Sequence, residues 1–215
     1  YGGELDDFRN LNPPYPSFKG YKAGAYVNGA LSPFVAGQLA LGAFEVGEEK
    51  YGADILNRIG SKVSREGKIA FLYNWKGEDV GGGPRCWAAA EIMNALVTGL
   101  AGIRDNGALF RDVTLSPRWV AADEPRAHVR IEYPASGAAV EYAFTYDRAG
   151  KRLTFTLLSR HARAKLRVLL PDGAGRAKTT VCGTVVPVCE ERVGKSRYVV
   201  IDPLTGAAQV EISYE

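Results

Sequence analysis

The sequence predicts an α+β chain in two parts, a helical array with long loops followed by an antiparallel β-sandwich. The first observation is periodicity. Up to about residue 107 apolar residues recur at helical spacing between glycine-rich stretches, and beyond it they alternate with period two. The second is punctuation. Asp147-Arg148-Ala149-Gly150, Asp172-Gly173, Val193-Gly194-Lys195 and Leu204-Thr205-Gly206 read as tight turns between the alternating runs.

Taken in order, residues 1–30 read as loop, broken by Gly2-Gly3, Pro13-Pro14, Pro16, Gly20, Gly24 and Gly29. So long a loop is unusual in a compact domain unless it lines a site. A helix then starts at Pro33 behind a capping Ser32 and ends at Gly47, apolar on nearly every side. A second spans about 49–59, with Tyr51, Ile55, Leu56 and Ile59 on one stripe. Residues 60–85 return to loop, ending in Gly81-Gly82-Gly83-Pro84. A long apolar helix is expected over 86–103, stopped by Asn106-Gly107. Strands follow at 128–133, 140–146 and 153–157, then near 165–170, 179–188, 196–201 and 207–214.

The chain has 215 residues, 46% hydrophobic and 24% charged, enough to bury a core. A net charge of +3, scattered rather than clustered, gives no footprint for nucleic acid. No run reaches the roughly 20 apolar residues of a membrane span, since 86–103 contains Glu91 and Asn94. Cys86, Cys182 and Cys189 form no disulfide framework or zinc spacing and read as small buried thiols, with a hairpin bridge between Cys182 and Cys189 as the alternative. The compartment stays open. The chain begins with Tyr1 inside a Gly-rich loop and is expected to be the C-terminal piece of a longer protein.

His128 and His161 both fall in the β half and read as surface residues, so a histidine-based triad is not supported. Gly-x-Ser-x-Gly and phosphate-binding glycine motifs are absent. The helical half does offer loop carboxylates and aromatics: Glu4, Asp6, Asp7, Glu78 and Asp79, with Tyr15, Tyr21, Tyr26, Tyr73, Trp75 and Trp87. Sugar chemistry uses this combination, aromatic faces for pyranose rings and carboxylates for acid and base.

The run NGALSPFVAGQLALGAFEVGEEKYGADIL (28–56), the loop GEDVGGGPRCW (77–87) and the long helix after it resemble the end of an (α/α)6-barrel glycosidase of the trehalase type. GLAGI at 99–103 and LSPRW at 115–119 are similar to the disaccharide phosphorylases, whose last helix runs into a β-sandwich. The resemblance covers residues 28–119. It implies a partial (α/α) helical toroid over 1–107 and the sandwich over 108–215. Ala88-Ala89-Ala90 departs from the Thr-Asn-Gly of trehalases, so trehalose is not supported as substrate. Ala-Ala at the turn where the phosphorylases hold phosphate disfavours phosphorolysis.

Glu78 precedes Trp87 by nine positions, as the general base precedes the helix-opening Trp in that motif. The resemblance therefore implies hydrolysis of a glycosidic bond with inversion, Glu78 as base and a general acid outside this chain. Trp75, Trp87 and Tyr26 are the expected sugar platforms, and Asn28 and Arg85 the expected hydroxyl binders. Asp79 reads as a solvated neighbour. No metal or cofactor is implied; the partners are an oligosaccharide or polysaccharide and the preceding part of the polypeptide. Two rivals remain: a polysaccharide lyase of helical and β-sheet build, and a non-catalytic sugar-binding or assembly module.

Overall fold

The structure, a computed structural model, describes residues 14–81 and 83–215. The chain divides into two compact units. The first comprises residues up to Phe44 together with Lys50–Leu96, and the second Glu45–Glu49 with Val97–Glu215.

In the first unit the opening loop carries a small antiparallel pair, β1 (Ser17–Phe18) and β2 (Tyr21–Lys22). Helix α1 spans Pro33–Val46, and the Ser32 hydroxyl accepts the Val35 N–H at 3.4 Å. Helix α2 spans Glu49–Glu66, seven residues beyond the expected end at 59. Strands β3 (Leu72–Tyr73) and β4 (Asp79–Gly81) form a hairpin. Helix α3 is Arg85–Asn94, continued by a π-helical stretch, Ala95–Leu100. Gly37 of α1 lies so close to α3 that an added Cβ would stand 2.5 Å from the Glu91 carbonyl carbon. Glycine is what lets the two backbones approach there.

The second unit is one nine-stranded mixed sheet. Its strands are β5 (Ile103–Asp105), β6 (Asp112–Leu115), β7 (Arg126–Tyr133), β8 (Ala138–Asp147), β9 (Arg152–Leu169), β10 (Ala177–Val181), β11 (Thr184–Val186), β12 (Cys189–Val193) and β13 (Ser196–Tyr214). β9 and β13 pair antiparallel along most of their length and form the spine. On its other edge β9 takes β8 antiparallel and then β6 parallel. β13 takes β12 and then β10.

The expected toroid and antiparallel sandwich are therefore corrected. The described residues hold only three short α-helices, a hairpin plus one, which cannot make a ring. The strands do not divide into two antiparallel sheets, because β9 and β13 run 18 and 19 residues without stopping and β6 is parallel. The reason lies in side-chain parity. Leu153, Phe155 and Leu157 face the core at odd positions, and Ala162, Ala164, Leu166 and Val168 at even ones. The change falls at Arg160-His161, where His161 has φ +52° and the register with β13 shifts. Between the Ser159–Gly206 and Arg163–Thr205 pairs β9 carries three extra residues, an irregularity that bends the strand without ending it and, being odd in number, moves the inward face from odd to even positions. In β13 a single extra residue between Ile201 and Leu204 also changes the parity. Leu204, read as part of a turn, is buried in the core.

That core gathers Tyr142, Phe144, Phe155, Leu166, Val199 and Val210, each at most 2% exposed. Burial of each such side chain contributes roughly 1.5–3 kcal/mol. A second correction concerns the cysteines. All three are free and exposed, not small buried thiols. Among the described residues no helix is long and apolar enough to cross a membrane.

Candidate functional site

The residues singled out by sequence all fall in the first unit, on three of its segments. Asn28 is wholly buried. Its Nδ2 donates to the carbonyls of Tyr15 (2.8 Å) and Tyr21 (3.0 Å), and its Oδ1 accepts the Tyr15 N–H at 2.9 Å. Both amide hydrogens are committed, so Asn28 ties the opening loop together. Tyr26, at φ +44°, is half-buried with its ring 5.0 Å from that of Tyr21.

Leu31 exchanges two backbone hydrogen bonds with Tyr73, at 2.7 and 2.9 Å, which lays this loop against β3. The turn after β3, Asn74-Trp75-Lys76-Gly77-Glu78, is built by Asn74. Its Oδ1 accepts the N–H groups of Lys76 (2.9 Å) and Glu78 (3.0 Å), a side chain standing in for backbone. Its Nδ2 donates to Glu78 Oε2 at 2.7 Å. Glu78 is exposed. Trp75, in the same turn, is 58% exposed and lies against Gly24, where an added Cβ would meet its Cδ1 at 3.1 Å.

Asp79 corrects the sequence reading of a solvated acid. Its side chain is only 14% exposed, and Oδ2 accepts from Arg85 (2.7 Å) and Lys68 (3.2 Å) while Oδ1 accepts the Gly81 N–H (2.9 Å). The Gly81 hydrogen bond, with the two cations, holds its carboxyl below the usual range. Adjacent acids thus have opposite surroundings: Asp79 is locked in ion pairs, and Glu78 is presented to solvent. Arg85, 57% exposed, keeps further N–H groups beyond the one given to Asp79. Trp87 stands two residues on, 55% exposed, its ring 6.0 Å from Phe71 and 6.4 Å from Phe34.

The fold links these residues through others: Tyr26 and Asn28 through Tyr21, Trp75 to their loop at Gly24, Glu78 through Asn74 and Arg85 through Asp79, while Trp87 packs on Phe34 and Phe71. Glu4, Asp6 and Asp7 lie outside the described residues. Sequence reasoning missed Asn74 and misread the surroundings of Asp79. The first was legible in principle, since Asn three residues before Gly is a turn signal. The second was not, because its partners Lys68 and Arg85 lie outside the turn.

No protein-family model matches the chain, and no curated protein matches it. Among solved structures it is similar to an α-L-rhamnosidase from Dictyoglumus thermophilum, at 14% identity over 84% of this chain and 20% of that one, with a TM-score of 0.56. A GH127 β-L-arabinofuranosidase from Geobacillus Stearothermophilus T6 aligns at 9% identity over 87% of this chain and 32% of that one, TM-score 0.43. A further glycoside hydrolase aligns at 11% over 87% and 33%, TM-score 0.44. This chain spans about a fifth of the rhamnosidase. At such identity the likeness is one of fold alone, shared with part of that rhamnosidase.

Proposed function

We propose that the chain belongs to a carbohydrate-active enzyme that hydrolyses a glycosidic bond with inversion, Glu78 activating the attacking water and the general acid coming from outside this chain. The observation that carries this reading is the contrast between Glu78 and Asp79. A general base needs a carboxylate open to water and held in place, and Asn74 holds Glu78 while leaving it exposed. An inverting pair stands about 6.5–9.5 Å apart to admit that water, so the acid belongs across an open space from the hairpin tip. Trp75, Trp87 and Tyr26 offer ring faces to the sugar, and Arg85 its remaining N–H groups to hydroxyls. Asn28 serves by holding the loop that carries Tyr26. The likeness of fold to a glycoside hydrolase supports the substrate class.

The test is the anomer first released by the full-length protein from an oligosaccharide it cleaves, followed by proton NMR. Inversion is expected. Retention would mean that a carboxylate attacks the sugar itself, and an unsaturated product absorbing near 235 nm would mean a lyase.

A further inference from the structure

Beneath the hairpin tip lies a buried cation that the proposed chemistry does not use. Lys62 of α2 is only 2% exposed. Its Nζ donates to Glu66 Oε1 at 2.6 Å and to the Gly77 carbonyl at 2.9 Å, and stands 4.3 Å from the centre of the Tyr73 ring. The Tyr73 hydroxyl oxygen accepts the Ala70 N–H at 3.0 Å. An ammonium taken out of water is tolerated only where several partners replace its hydration. Glu66 is a neighbour on the same helix. Gly77 is fifteen residues away and directly precedes Glu78.

A hairpin tip needs no such anchor, because its carbonyls can be satisfied by water. Here the Gly77 carbonyl is turned inward onto a charged group of the helix below. Asn74 meanwhile grips the Glu78 N–H and carboxylate from within the turn. The base is fixed from two directions. We infer that Lys62 is the positioning residue for Glu78, setting where the hairpin tip holds the carboxylate without itself reaching substrate. This rests on the proposed role of Glu78.

Lys62→Met keeps the aliphatic stem, removes every donor and takes the cation from Glu66, whose side chain is 27% exposed, so it loses stability for reasons unrelated to positioning. Lys62→Met combined with Glu66→Met removes both charges. Where the cation is buried and the carboxylate is partly exposed, replacing both by apolar side chains removes the unpaired charge and should restore most of the lost stability. If Lys62 were merely half of an ion pair, the double variant would recover everything.

The measurement uses the full-length protein and 4-nitrophenyl glycosides that it hydrolyses, with amide hydrogen exchange at Gly77 and Glu78 read by NMR. In the double variant the thermal midpoint is expected to recover most of what the single variant loses. Exchange at Gly77 and Glu78 should remain about tenfold faster than in the parent, the scale of one lost hydrogen bond. Turnover should stay down by up to about 10²-fold with KM little changed, the effect of a misplaced catalytic group. Parent-like exchange in the double variant, or turnover that recovers with the midpoint, overturns the role of Lys62 whatever Glu78→Gln does. Full turnover in Glu78→Gln overturns the reading of Glu78 whatever the exchange shows.

Discussion

Asn74 and Glu78 are joined by three hydrogen bonds. The Asn74 N–H donates to the Glu78 carbonyl at 2.9 Å, the Glu78 N–H to Asn74 Oδ1 at 3.0 Å, and Asn74 Nδ2 to Glu78 Oε2 at 2.7 Å. One residue therefore shapes the hairpin tip and aims its carboxylate. Glu78 Oε1 has no hydrogen-bond partner among the described residues, which leaves that oxygen to water or substrate.

Asn74→Ala removes the side-chain bonds and leaves only the backbone ones. The expected loss is about 1–2 kcal/mol. It is read from the urea midpoint, with faster amide exchange confined to Lys76 and Glu78.

The stability supplied by Asp79 depends on pH in a defined direction. Its folded pKa lies below the ordinary 3.8, so its contribution is present in full above that value and is lost as pH falls through the lowered one. In Asp79→Asn this part of the acid dependence should vanish, so the urea midpoints of variant and parent converge towards low pH. Curves that stay parallel below pH 4 would show that the ionised Asp79 carboxylate, with its Gly81 hydrogen bond and its Lys68 and Arg85 pairs, contributes nothing.

Gly37 and Gly42 share helix α1 but differ in surroundings. A Cβ on Gly42 meets nothing within 4 Å, whereas one on Gly37 meets the backbone of Glu91. Gly42→Ala should stabilise by about 0.5–1 kcal/mol through helix propensity, and Gly37→Ala should destabilise by separating α1 from α3. Thermal unfolding of the two variants side by side checks this.

In the second unit the Tyr198 hydroxyl donates to the buried Glu49 carboxylate and accepts from Arg118 Nε at 3.2 Å. Burial is the main cause of its pKa rising to about 12. Tyr198→Phe keeps the ring and takes one hydrogen bond from each charged partner, leaving Glu49 with Ser196 and Arg118 with the Gly99 and Ser116 carbonyls, with an expected cost of about 2 kcal/mol in calorimetry or urea unfolding.

The sequence made some elements legible and hid others for physical reasons. The start of α1 could be read because Ser32 and Pro33 are local signals, and β7 and β8 because alternation marks a half-buried face. The continuity of β9 and β13 could not. Leu204-Thr205-Gly206 has the composition of a turn, and only pairing with β9 turns it into a bent strand. The end of α2 was missed because Lys62, read as a polar loop residue, is buried by the hairpin, a contact set at a distance of fifteen residues. Glu78 and Trp75 were legible as a loop acid and a loop aromatic, and Asn74 and Lys62, which shape the turn that carries them, were not.

The most direct measurement is turnover of Glu78→Gln beside Asp79→Asn in the full-length protein, on a sugar that the parent hydrolyses. Gln keeps the shape of the side chain but cannot take a proton, so turnover should fall by about 10²–10⁴ while KM changes little. Asp79→Asn weakens ion pairs beneath the tip and should cost far less. Near-normal turnover in Glu78→Gln, or a larger loss in Asp79→Asn, would contradict the assignment of Glu78 as the base.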